Sequence, residues 1–203
     1  MSASQALKKE HRYWDSQAGA YTVTVLPGKH YLTSAKDEVI STLLGSCVAA
    51  CIFDLSAGWG GLNHFLLPCG GPDEPDLGDT ATRYGNYAME ALINDLLKQG
   101  ACRENITVKV FGGANVIETS SKHMIGSRNA DFVLEFLKAE KFRVSGQHLG
   151  GDRPRRILFN PTTGKVQMQL LKRSAAKMIE KVEKGFNANV KQSGLTGTVE
   201  LFS

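Results

Sequence analysis

From Tyr21 onward the chain changes from mixed polar texture to short apolar runs broken by Gly, Pro and Asp. TVTVLPG, EVISTLLGSCVAACIFD and GWGGLNHFLLP read as successive β-rich segments with turn punctuation between them. CGGPDEPDLGD, which follows, is too rich in Gly, Pro and Asp to be regular. The period then lengthens. Tyr84, Tyr87, Ala88, Ala91, Leu92 and Leu96 recur at helical spacing, and Gly100 stands where a C-terminal cap belongs, which predicts a helix over about Thr80 to Gln99. ITVKVFGG, Ile106 to Gly113, predicts a strand ending on a glycine pair. Ala130, Val133, Leu134 and Leu137 form the apolar stripe of a second helix, about Ser127 to Lys141.

FRVSGQHLGG reads as another extended segment, and RRILFNPTTGKVQMQLL as a hairpin with its turn at Pro161 to Gly164. A third helix is expected from Ser174 to about Lys184, before a Gly/Ser/Asn-rich end from Gly185 to Ser203. Residues 1–20 read as an N-terminal extension that orders only if it docks. Runs of strands interrupted by helices, with no internal repeat, predict an α+β layered domain over residues 21–172. Residues 173–203 are expected to form a C-terminal helix and a flexible tail.

Composition adds limits. A chain of 203 residues is long enough for one domain with a substantial core. The net charge of +4 is too mild to call for nucleic acid, though it favours approach to an acidic protein surface. The most basic stretch, Lys172 to Lys184, also carries Glu180 and Glu183, and reads as a solvated helix face. The polar N-terminus does not resemble a secretory signal, and no apolar run approaches the roughly 20 residues of a membrane span. A cytoplasmic protein without membrane insertion is therefore expected. Its four cysteines, Cys47, Cys51, Cys69 and Cys102, should then be mostly free thiols.

Chemistry concentrates between Ile40 and Pro68. Cys47 follows the small Gly45–Ser46 pair, where backbone can approach a substrate closely and N–H groups could stabilise an oxyanion. His64 lies in the next apolar segment, and two strands joined by such a loop can lie side by side. A thiol needs a nearby base to become a nucleophile, and the resulting imidazolium can protonate a leaving amine. Two other readings compete. A cysteine and a histidine can simply be packed in a core. Alternatively, Cys47, Cys51, His64 and Cys69 offer four ligands to zinc, although their spacing is not that of two close pairs.

STLLGSCVAACIFD followed by GGLNHFLLP resembles the signature of the CheD family, the chemoreceptor glutamine deamidases. YGNYAMEALINDLLKQGA, KVFGGANV, IGSRNADFVLEFLK and GQHLGGDRPRRILFNPTTGKV follow in that family's order, so the resemblance runs from about Tyr21 to Lys172. It implies a protein-glutamine glutaminase with Cys47 as nucleophile and His64 as the catalytic histidine, without metal or organic cofactor. A third family position, a hydroxyl six places before the cysteine, falls on Ser41. Thr42 is next to it, and because adjacent strand residues face opposite ways only one can orient His64. Ser41 is favoured by count.

The resemblance further implies that the substrates are glutamines on the cytoplasmic helices of chemotaxis receptors, with a CheC-type phosphatase as a possible partner. A non-catalytic adaptor on the same fold is the alternative. Such an enzyme should hold Cys47 near the mouth of a shallow site with a lowered pKa. Gly112–Gly113 and Gly150–Gly151 either line the site or only end strands tightly. Asn63 reads as a backbone partner, His123 and His148 as surface residues, and Arg153, Arg155 and Arg156 as a solvated basic edge.

Overall fold

The computed structural model describes residues 11–67, 78–116 and 125–192. Ten strands make two five-stranded sheets. The first has the order β1 (Arg12–Asp15), β2 (Ala20–Thr24), β4 (Glu38–Leu44), β9 (Arg155–Asn160) and β10 (Lys165–Leu170). The second has the order β3 (Lys29–Thr33), β6 (Trp59–Phe65), β5 (Val48–Asp54), β7 (Thr107–Gly112) and β8 (Arg143–Leu149). β2 pairs with β4 and β7 with β8 in parallel, and the remaining pairs are antiparallel. Helices α1 (Gly78–Lys98) and α2 (Ile125–Ala139) cover the outer face of the second sheet, and α3 (Ala176–Gln192) follows β10. This is the expected α+β layered arrangement, with β1 extending the first sheet from within the N-terminal segment.

Helices, second sheet and first sheet make three layers, so the second sheet is covered on both faces. That is why VAACIFD reads as a continuous apolar run and is buried at every residue. Alternation still sorts its side chains. Val48, Ala50 and Ile52 pack against Met89, Leu92, Leu96, Val133 and Leu137 of the helices. Cys47, Ala49, Cys51 and Phe53 pack against Val23, Ile40, Leu44, Ile157 and Phe159 of the first sheet. β6 is divided in the same way. Asn63 and Phe65 face the helices, where the Asn63 amide donates to the Ala88 carbonyl at 2.9 Å and its oxygen accepts from Ala50 N–H at 2.9 Å. Leu62 joins the core between the sheets, and His64, two residues on, shares its face.

Arg155 does not belong to a solvated basic edge. It is fully buried, because β9 alternates inward and outward and Arg155 shares the inward phase with Ile157 and Phe159. Its guanidinium donates to the carbonyls of His148 and Gly150, tying the β8–β9 connection to the sheet. His148 is half-buried beside it. Cys69, His123 and nearly all of the loop 69–79 lie outside the described residues.

Leu92 is completely buried between α1 and the second sheet. Leu92→Ala should lower unfolding stability by about 3 kcal/mol, the scale for a leucine truncated in a core that collapses only partly. Urea unfolding would show this as a lower midpoint with an unchanged slope.

Candidate active site

The link from β4 to β5 is only Gly45, Ser46 and Cys47, and its backbone is turned so that carbonyls and N–H groups part company. The Gly45 carbonyl accepts from Ala114 N–H and the Cys47 carbonyl from Gly113 N–H, both at 2.8 Å. The Ser46 carbonyl accepts from the Asn129 amide of α2 at 2.9 Å. The Ser46 and Cys47 N–H groups, across the same peptides from the Gly45 and Ser46 carbonyls, are thereby turned to the other side, and the Gly45 N–H converges with them. There they donate to the Glu183 carboxylate of α3, at 3.1 Å from Gly45, 3.2 Å from Ser46 and 3.1 Å from Cys47, and the Ser46 hydroxyl adds a bond of 2.5 Å.

The glycine pair at the end of β7 supports this turn. Gly112 has φ +117°, and a Cβ there would stand 2.1 Å from the Cys47 carbonyl oxygen. Any side chain would push the Cys47 peptide away. Gly112 and Gly113 therefore seat the Cys47 turn, beyond merely ending a strand.

β6 carries His64 in toward the same place. Its Nδ1 lies 2.8 Å from the Thr42 hydroxyl, which is itself 2.8 Å from the Val25 carbonyl. The hydroxyl has one proton and must give it to the carbonyl, which cannot donate. Nδ1–H is then the donor to Thr42, and Nε2 is left as a bare lone pair. This is the arrangement that places a hydrogen in each contact. Nε2 is buried with no protein partner among the described residues.

Ser41 is not the residue that meets His64, which corrects the assignment made by counting. On β4 the inward phase is Ile40, Thr42 and Leu44, while Ser41 points to the other side of the sheet, 3.4 Å from Arg156 Nε. The sequence VISTLL is apolar in both phases, so alternation alone did not choose between them.

The site's electrostatics also differ from expectation. Cys47 is fully buried, not at a shallow mouth. Burial pushes its thiol well above the usual range, and the charge of Glu183 and a hydrogen bond to it push the same way. Burial lowers His64 to about 4, against a smaller upward pull from Glu183 and the Val25 carbonyl. The resting pair is thus a neutral thiol and a neutral imidazole.

The Cys47 sulfur, a His64 ring nitrogen and a Glu183 oxygen all lie within 4.8 Å of one another. Three such groups can in principle hold a metal. The four-ligand zinc set is nevertheless not assembled, since Cys51 does not join the group and Cys69 lies outside the described residues. The Glu183 oxygens are already engaged by three backbone N–H groups and a hydroxyl.

Sequence reasoning missed Glu183 and Asn129. Lys172 to Lys184 is not wholly a solvated face, because Glu183 is 4% exposed. A signal existed: Ile179, Glu183 and Phe186 share one helical stripe, in which a glutamate interrupts apolar positions. Asn129 likewise sits on the buried stripe of α2 beside Gly126, Ala130 and Val133.

Because folded His64 titrates near 4 and an unfolded histidine near 6.5, the unfolded chain binds an extra proton between those values. His64 therefore favours folding above about pH 6.5 and withdraws that contribution as pH falls toward 4. Calorimetry should show the melting temperature falling across this window, and falling less in His64→Gln.

The family model described as CheD chemotactic sensory transduction matches residues 66–170. Relatives extend the similarity over the site itself. A Rhodopseudomonas palustris protein named "Probable chemoreceptor glutamine deamidase CheD" is 44% identical over 94% of this chain and 89% of its own length. Proteins of the same name from Thiobacillus denitrificans (46% identity, 94% of each chain) and Xanthomonas campestris pv. campestris (43% identity, the whole of both chains) are similar as well. Among solved structures, Bacillus licheniformis YfiH superimposes with a TM-score of 0.41 at 8% identity, over 59% of this chain and 50% of that one, a likeness too distant to argue from. With relatives above 40% identity along nearly its full length, the chain belongs to the CheD family.

Proposed function

We propose that this chain is a chemoreceptor glutamine deamidase, with Cys47 as nucleophile, His64 as general base and acid, and Thr42 as the residue that positions His64. The observation that carries this reading is the convergence of three features on one point: a thiol, a neutral imidazole with a free Nε2, and three backbone N–H groups that bind a carboxylate. Glutamine deamidation needs each of them.

In the first half-reaction, His64 Nε2 takes the Cys47 proton and the sulfur attacks the side-chain carbonyl carbon of a substrate glutamine. The carbonyl electrons move onto oxygen, which the N–H groups of Gly45, Ser46 and Cys47 stabilise. Nδ1–H donating to Thr42 keeps the imidazolium in register. Nε2–H then protonates the amide nitrogen, the C–N bond breaks, ammonia leaves and a thioester remains. In the second half, Nε2 removes a proton from water as it attacks the thioester, and glutamate departs while sulfur recovers the proton. No step calls for a metal or organic cofactor.

The names of the relatives make receptor glutamines the natural substrates. Conversion puts a carboxylate where a neutral amide stood, which changes charge repulsion within a helical bundle. Receptor cytoplasmic helices as substrates would place the enzyme in the cytoplasm, and none of the described helices is long and apolar enough to cross a membrane. A CheC-type phosphatase as partner rests on the family resemblance alone. A non-catalytic adaptor is not favoured, since holding a receptor needs neither a poised imidazole nor an anion-binding turn.

The test is incubation with receptor cytoplasmic fragments and mapping of Gln-to-Glu conversion by mass spectrometry. Cys47→Ala should give no conversion. Thr42→Val leaves base and nucleophile present but misaligned, and should lower turnover by about 100-fold. Ser41→Ala should stay within a few-fold of wild type, and a reversed ranking of these two would remove Thr42 from its role.

A further inference from the structure

Glu183 stands where the mechanism above places the substrate. Its carboxylate is held by the N–H groups of Gly45, Ser46 and Cys47, the donors that stabilise the oxyanion, and lies within 4.8 Å of the Cys47 sulfur and a His64 nitrogen. A glutamate side chain offered from a helix to this point is, atom for atom, the product of deamidating a helical glutamine.

The rest of α3 is seated in keeping with that role. Ile179 and Glu183 lie against Gly45, where a Cβ would come within 3.1 Å of each. Phe186 packs on Gly28 and stands 6.4 Å from the Tyr84 ring. These contacts form a stripe at positions −4, 0 and +3 around the glutamate. On the flanks Met178 and Val182 are 62% and 51% exposed, and a half-open apolar cavity of about 170 Å³ lined by Val25, Leu26, Thr42, His64, Met178 and Val182 lies beside the helix. A helix with half-exposed flanks beside a cavity can leave without opening the core.

We propose that α3 is an internal product-like ligand: it occupies the seat of the substrate helix, presents Glu183 as the carboxylate product, and keeps Cys47 covered until a substrate helix displaces it. This rests on the deamidase reading. It also defines what the seat recognises, namely a helical glutamine with a large apolar residue four positions before it and an aromatic or large apolar residue three positions after.

The proposal has a chemical consequence. Glu183→Gln turns the internal product into an internal substrate. Cys47 should attack its side-chain carbonyl carbon, ammonia should leave with the proton from His64, and water should hydrolyse the thioester, restoring glutamate at position 183. Peptide mapping of the purified Glu183→Gln chain should therefore find glutamate at position 183, whereas the Cys47→Ala/Glu183→Gln chain keeps the introduced glutamine. Retention of that glutamine in a Glu183→Gln chain that deamidates receptor fragments would overturn the proposal while leaving the deamidase reading intact.

A second measurement does not depend on deamidation. If the uncovered state is a minor one, populated at a tenth or less, then Glu183→Ala should raise iodoacetamide labelling of Cys47 by about tenfold or more. Phe186→Ala, which weakens the seat without touching the anion-binding turn, should raise it in the same direction. Labelling at the wild-type rate in both variants would overturn the internal-ligand proposal. Faster labelling with no self-conversion of the Glu183→Gln chain, and no receptor conversion by any variant, would count against the deamidase reading instead.

Discussion

The three carbonyls of Gly45, Ser46 and Cys47 are all claimed by the protein interior, and this one fact fixes the rest of the site. Ala114, Asn129 and Gly113 take them, so the Gly45–Ser46 and Ser46–Cys47 peptide planes are set, the Ser46 and Cys47 N–H groups must face the other way, and the Gly45 N–H joins them on Glu183. A buried N–H without an acceptor is costly, and three aimed at one point make a standing demand for negative charge. Glycine at 112 is required because that demand can be built only if β7 approaches the Cys47 peptide without a side chain between them. The anion-binding turn thus follows from how a three-residue link is fastened from behind.

The layered architecture supplies the other half. Since β5 and β6 are covered on both faces, alternation is what separates structural polar groups from chemical ones. Asn63 faces the helices and is consumed by Ala50 and Ala88, while its neighbour His64 faces the gap between the sheets. There the first sheet meets it with Thr42 and the Val25 carbonyl, and this two-bond chain decides which ring nitrogen carries the proton. An imidazole in such a dry place is neutral, so Nε2 carries a free lone pair.

How much of this could be read from the residues depends on whether a feature was written in one segment or in several. The helices at 78–98 and 125–139 and the hairpin turn at Pro161 to Gly164 were legible, because periodicity and turn chemistry are local, whereas spacing alone left Cys47 and His64 open between a reactive pair, a packed core and a zinc set. The choice between Ser41 and Thr42 was not. VISTLL has apolar residues in both phases, and the sheet that breaks the tie is built from strands far away in sequence. Arg155 failed for a related reason. An arginine beside two others reads as solvated surface until the carbonyls of His148 and Gly150 are known to wait inside for it. Glu183 was hidden by company: four lysines and an arginine between Lys172 and Lys184 drew attention to charge and away from the stripe it shares with Ile179 and Phe186.

Charge in the seat also sets the order of events. A carboxylate there opposes a thiolate and favours an imidazolium, which are the directions in which Glu183 moves Cys47 and His64. A glutamine side chain carries no charge, so in the proposed mechanism its arrival removes that opposition. The same donors that held the carboxylate then stabilise whichever negative charge forms next, first on sulfur and then on the substrate oxygen. Once glutamate is made, the opposition returns and the thiol is again the favoured state. On the proposed mechanism, nucleophile activation is tied to what occupies the turn, so a substrate amide promotes attack and a product carboxylate suppresses it.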